Sequence, residues 1–312
     1  MSAQARPPAA AGRFYPGEPA ALRAVVDGLL ASAPEREDDG RIVAALLPHA
    51  GYEYSGPAAA RACRALAGLE PEVVAVVGTS HYAESRGIFL DDHPAWLTPL
   101  GEIPIAQPES QWLLQSGAGV TVSPAAHAEE HSVEAVLPFL QRTFRGFRLL
   151  PVVASADSLA DSVRFGRALA AALKGKKALV IAASDLSHFP TLEVARQADP
   201  ASLESFLTLD PDYLWRTDQC LLALDAPQLS CTWCGKAAAA AVQAAAKDLG
   251  ADWGEALACA NSADHGGDAG RTVGYGAALL LARGRNRPWP TETISPEEKT
   301  ELLALALSLI HI

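Results

Sequence analysis

Histidine and aspartate recur in this chain at the points where apolar runs stop, and these residue types can hold a metal ion or move a proton. An apolar run over 42–47 ends at Pro48 and delivers His49, and a second over 73–77 delivers His81 after Gly78-Thr79-Ser80. Runs of this length and composition read as strands buried on both faces. Pro48 cannot donate to a sheet ladder, so the first strand ends there. A third run, over 178–183, leads into Ser184-Asp185-Leu186-Ser187-His188, and the loop 262–270 adds Asp264, His265 and Asp268. Open α/β sheets bind ligands just beyond the carboxyl ends of their strands. Imidazole is the commonest protein ligand for iron, copper and zinc, and two or three such ligands with open positions can polarise a substrate or activate water or dioxygen. Asp185 stands three residues before His188, the spacing at which a carboxylate can fix an imidazole's tautomer for acid–base work.

Plainer readings stand beside these. A histidine after a strand is commonly a loop residue bonded to backbone, and a Gly-rich loop such as 262–270 carries polar residues to satisfy itself. His131 follows Glu130 at a helix start and reads either as a capping feature or as a site residue. Cys234, beside Gly235, reads as a small buried residue at a helix start, where a low-pKa thiol would be reactive. His93 and His127 lie in loops without evident partners and read as solvated.

The elements that must position these residues alternate. Helices are expected over 19–31, 56–69, 132–143, 159–173, 201–208, 211–220 and 236–249. Strands are expected over 42–47, 73–77, 88–90, 147–154, 178–183, 256–261 and 272–282, with a hairpin at 97–101. Such alternation predicts an α/β fold with a mainly parallel central sheet covered by helices on both faces. The chain has 312 residues, 49% hydrophobic and 20% charged, which supports a large core. A net charge of −11 disfavours nucleic acid and anionic membranes as partners. Five cysteines, without a signal peptide or a run of membrane-spanning length, fit a reducing, cytoplasmic setting. Cys231-Thr232-Trp233-Cys234 has C-x-x-C spacing but no second pair to complete a tetrahedral site.

Ordered pieces along the first 283 residues resemble the Memo family, named for a mediator of ErbB2-driven cell motility. They are Gly12-Arg13-Phe14-Tyr15-Pro16, Pro48-His49-Ala50-Gly51-Tyr52 with Tyr54-Ser55-Gly56, Gly78-Thr79-Ser80-His81, Thr98-Pro99-Leu100-Gly101, Glu130-His131-Ser132, Ser184 to His188, Cys234-Gly235 and Val273-Gly274-Tyr275. Bacterial and archaeal members carry the label AmmeMemoRadiSam system protein B. The resemblance implies a fold similar to class III extradiol ring-cleaving dioxygenases, which hold non-haem Fe(II) beside a catalytic histidine. It further implies that His49 and His81 are metal ligands and that His188, with Asp185, is the acid–base pair. A third ligand, a cysteine in the animal protein, falls at His265 here. Fe(II) is the first expectation for the metal, with copper or zinc as alternatives.

The function so implied is a metal-dependent oxidoreductase acting on a small molecule, functionally linked to a radical-SAM protein and an Ammecr-domain protein. Two alternatives remain open: a non-catalytic protein that binds metal or peptide, and a zinc-dependent hydrolase. After the domain at 1–283, a linker is expected over 284–293. Ser295, Pro296 and Glu298 then have the pattern of a capped helix start, and 294–312 resembles the opening of an Ammecr domain. Its last residues, from Leu307 to Ile312, read as a sequencing artefact at the end of a truncated frame.

Overall fold

The structure is a computed structural model describing residues 4–36, 40–82 and 86–284. The expected linker and Ammecr-like segment therefore lie outside the described residues, apart from Gly284. The strands are β1 (Arg41–Leu47), β2 (Val73–Gly78), β3 (Ile88–Leu90), β4 (Ala95–Thr98), β5 (Gly101–Pro104), β6 (Val120–Val122), β7 (Arg148–Ala154), β8 (Ala178–Ala183), β9 (Trp253–Asn261) and β10 (Gly274–Ala282). The helices are α1 (Pro19–Ser32), α2 (Tyr52–Ala65), α3 (Gln107–Gln115), α4 (Pro124–Ala128), α5 (Leu137–Thr143), α6 (Leu159–Leu173), α7 (Leu192–Leu207), α8 (Pro211–Ala223) and α9 (Lys236–Asp248). Among the described residues, no helix is long and apolar enough to cross a membrane.

Eight strands form one sheet in the order β6-β3-β7-β2-β8-β1-β10-β9, and β4 and β5 form a separate hairpin. The centre, β7-β2-β8-β1, is parallel, whereas β10 and β9 on one side and β3 on the other join it antiparallel. The sheet is thus mixed, with the parallel character concentrated where the chemistry-bearing loops emerge. Its central strands are apolar over nearly their whole length because both faces are covered. Ala44 and Leu46 of β1 belong to a core with α6 and α9, while Ala45 and Leu47 belong to a second core with α1, α2 and α5.

Local signals were overridden in three places. Helix α2 begins at Tyr52, four residues before its expected start, because its first turn is tied down: Tyr52 donates through N–H to Phe14 O (2.9 Å) and through its hydroxyl to Ala135 O (2.7 Å). Helix α7 runs through Pro200 and starts at Leu192 rather than 201, its buried face of Ala195, Ala198, Leu203 and Phe206 outweighing the proline's local cost. The segment expected to be one helix over 132–143 divides into a 3₁₀ turn, Glu134–Val136, and α5, which takes Pro138 into its first turn. The buried carboxylate of Glu134 serves as an anchor for the N-terminal arm. It accepts from Arg6 Nη1 (2.6 Å), Ala9 N, Ala10 N and the Tyr15 hydroxyl.

Candidate metal centre

Parallel pairing brings the ends of β1, β8 and β2 level, with Leu47 opposite Ala183 and Ala182 opposite Val77. The loops that follow therefore leave from one edge, and β8, between the other two, contributes the residue that joins them. Asp185 accepts a hydrogen bond from the backbone N–H of His49 through Oδ1 (2.9 Å). Its Oδ2 lies 3.9 Å from His49 Nε2 and 3.6 Å from His188 Nε2. One buried carboxylate thus stands between the two imidazoles.

His49 and His81 meet edge to face with ring centroids 5.2 Å apart, and the third ring beside them is that of His131. Its centroid is 4.3 Å from that of His81 and 5.5 Å from that of His49. Each of the three offers a ring nitrogen, all within 4.8 Å of one another. His131 is stacked between His81 and Phe14, whose centroid lies 4.1 Å away, so the N-terminal arm pinned by Glu134 walls the site. The loop 130–132 reaches β2 because Gly78 has no side chain: a Cβ there would stand 2.4 Å from Ser132 Oγ, which donates to Thr79 O.

Glu130 fixes His81 twice. Its Oε2 accepts from the His81 backbone N–H (2.6 Å), and Oε1 lies 2.9 Å from His81 Nδ1 while also accepting from Ser132 N. Burial works to raise the Glu130 pKa, but the contacts with His81 outweigh it and bring it to about 2. A carboxylate on one ring nitrogen leaves the other directed at the site, the arrangement usual for a metal-binding histidine. Asp185 is likewise held at about 2, burial being overcome by His49 and His188. Burial lowers the pKa of His49 against the pull of Asp185. Burial, then His49 and His81, brings His131 down to about 3. Both rings are therefore neutral near pH 7, the state in which imidazole ligates. The Nδ1 of His131 is buried without a hydrogen-bond partner, with Glu130 Oε1 at 3.5 Å. Its donor set and that unpaired nitrogen fit a metal ion.

His265 is not part of this group. It ends a 3₁₀ turn, Ser262–His265, after β9, and its own side chain is exposed. The turn is fixed by a capping box: Asp264 Oδ2 accepts from Asn261 N (3.0 Å), and Asn261 Oδ1 from Asp264 N (3.3 Å). The structure therefore supplies His131, not His265, as the third imidazole beside His49 and His81. The sequence signal for His131 was Glu130 immediately before it, since no strand ends there. Cys234 was also undervalued: its Sγ lies 3.0 Å from His81 Nε2 and 3.5 Å from His49 Nε2. Burial, then the negative charge of Asp185, pushes that thiol up.

His127 and His93 are not solvated loop residues. His127 is fully buried at the end of α4, with Nε2 3.1 Å from Phe89 O and its ring against Trp96. Its neighbours Ala126 and Trp96 are core residues, so the segment folds inward. A second acidic and histidine cluster comprises Asp91, Asp92 and His93. There Asp91 Oδ1 lies 2.7 Å from His93 Nδ1, and Oδ2 accepts from Trp96 Nε1 (2.6 Å). Asp91 thus acts as a bracket for the β4 hairpin.

Comparison with known proteins agrees with this architecture. A MEMO1 family protein of Nitrosopumilus maritimus is 29% identical over 281 residues, covering 88% of this chain and 99% of the relative. One of Methanopyrus kandleri is 31% identical over 290 residues, covering 89% and 99%. The crystal structure of an uncharacterised Escherichia coli K12 protein shares the fold, with a TM-score of 0.52 at 15% identity over 77% of this chain and 100% of that one. The family model described as Memo-like protein matches residues 6–279, and by that match and those relatives the chain belongs to the Memo family.

Proposed function

We propose that this protein is a mononuclear non-haem metal protein with oxidoreductase activity on a small molecule, Fe(II) being the first metal to test and copper the second. The observation that carries the reading is the convergence of three imidazoles, two of them buried, at the carboxyl edge of the parallel strands. His49, His81 and His131 would hold the ion. A bound ion of this kind supplies Lewis acidity and open positions for a chelating substrate.

The chain's own groups divide the remaining work. Glu130 orients His81, and Asp185 orients the His49 loop through its backbone N–H. His188 is half-buried, 3.6 Å from Asp185 Oδ2, with a side able to face substrate. Its backbone is clamped by bridges to Cys231 and Val273, so the imidazole has a fixed base from which to take or return a proton. Phe14 and Tyr82 beside His131 limit water on one side.

Oxygen uptake by protein reconstituted anaerobically with Fe(II), and separately with copper, tests the reading against a panel of catechols and aminophenols. Turnover that falls in His188→Gln while metal content stays at wild-type level supports it. Metal retention with no turnover across the panel would instead indicate a binding protein, and ester or amide cleavage with zinc would indicate a hydrolase.

A further inference from the structure

We infer that Asp199, a buried carboxyl group on α7, is the positioning residue of His188: it holds the peptide that carries that imidazole and acts on the charge of the ring from within the fold. This rests on the reading that His188 moves protons, and deepens it by naming the group that governs the histidine.

Consecutive N–H groups fix the segment that carries His188. Leu186 N donates to Gly274 O (2.8 Å), His188 N to Cys231 O (3.3 Å) and Phe189 N to Thr272 O (2.7 Å). The Ser187 N–H turns instead to a side chain, donating to Asp199 Oδ1 at 3.0 Å in a buried contact. Gly274 makes room for that carboxyl group, since a Cβ there would stand 2.1 Å from Asp199 Oδ2. Gly274 also donates through its own N–H to Ser187 O (2.9 Å), so carboxyl group and strand grip the same residue.

Packing alone does not call for an acid at this position. Asp199 is 3% exposed in the interior of a helix, where aspartate is a poor former, and burying a carboxylate without a cation is costly. Among the described residues no lysine or arginine offsets it; Ser187 and His188 are the groups that favour its charged form. Burial outweighs them and pushes the carboxyl group up to about 6, whereas Asp185, acting on the same imidazole, is held at about 2. Carboxyl groups driven apart in this way around one histidine mark divided roles in proton transfer. Asp185 stays charged, and Asp199 gains or loses its charge near neutral pH. The other titratable groups that interact with Asp199 are Cys231, bridged to His188, and Cys259 on β9. Burial pushes these thiols up to about 12 and about 11, so neither titrates in that range. Gly274 of β10 brings no charge, and Asp264, which also acts on Cys259, is held in its capping box.

The test is an NMR titration of the full chain, labelled with nitrogen-15 in the backbone and carbon-13 in the histidine rings. In the wild type the Ser187 amide should shift with a step near pH 6, the value of the carboxyl group it donates to. The His188 ring should titrate in two coupled steps, its own and that of Asp199. Asp199→Asn keeps an acceptor for the Ser187 N–H without the charge. It should leave that amide slow to exchange, remove its step and reduce the His188 ring to a single step. Asp199→Ala should speed exchange of the Ser187 amide by roughly 10- to 100-fold, the effect of losing a hydrogen bond to a charged group. A His188 ring that titrates identically in wild type and Asp199→Asn would make Asp199 a fastener only and overturn the proposal, as would a Ser187 amide with no step near pH 6. Turnover unchanged in His188→Gln would instead remove the proton-moving reading and leave the link between Asp199 and the ring standing.

Discussion

Three loops at the same edge of the sheet carry histidines near glycine, and they differ in where the sheet delivers them. The loops after β1 and β2 leave from the two neighbours of β8, the first held by Asp185 just beyond it, and His49 and His81 meet. The loop after β9 leaves in the same direction, since β9 is antiparallel to β10 and β10 to β1. It starts three strands from β8, however, which at about 4.8 Å per strand is roughly 14 Å away. Its polar groups are also engaged with one another, Asn261 and Asp264 in a capping box and Ser262 Oγ accepting from Val273 N. Similar local sequence therefore yields a cluster of imidazoles in one place and a self-satisfied turn in the other. Strand order, not the residue itself, makes the difference.

The largest effect should come from His49→Ala with His81→Ala: metal content after anaerobic Fe(II) reconstitution should fall to background, while His265→Ala keeps the wild-type value. Equal losses from both sets would erase the distinction between the loops. Next in size, Glu130→Gln should weaken metal binding by roughly 10- to 100-fold in a calorimetric titration, because His81 would lose the partner that orients its ring. The same pair of measurements on Asp264→Ala should show no change in affinity.

Acid should separate the regions as well. The folded-state pKa of His131 is lowered to about 3 from 6.5, so between about pH 7 and pH 5 the unfolded chain takes up a proton that the folded metal-free chain does not. Stability supplied by that difference is present above 6.5 and declines as pH falls, by on the order of 1–2 kcal/mol over this range. Urea unfolding of wild type and His131→Phe at several pH values should show the variant's profile as the flatter. Smallest of all, Asp264→Ala should lower stability by about 1 kcal/mol through the lost cap, independent of metal.

Much of this was legible before any coordinates. The apolar runs at 42–47, 73–77 and 178–183 are buried strands, and the histidines after the first two converge, because a run hydrophobic on both faces has few alternatives to a central strand. His131 was harder to see. It sits on a loop that no strand introduces, and its approach depends on the Phe14 arm and the missing side chain at Gly78, contacts made across long stretches of sequence. His265 shows the complementary limit: the resemblance set it at a ligand position, the fold keeps it apart from the three clustered rings, and sequence spacing carries no information on how many strands separate two loops. The antiparallel flanks of the sheet were likewise invisible, since strand direction is set by pairing and not by composition.

The most direct test of the centre is anomalous diffraction from crystals of the full chain loaded with Co(II) or Fe(II). A single peak among the rings of His49, His81 and His131, with ring nitrogens at about 2.0–2.2 Å, is the predicted result. A peak at the 262–270 loop, or metal-loaded crystals in which these three rings remain turned from any ion, would contradict it.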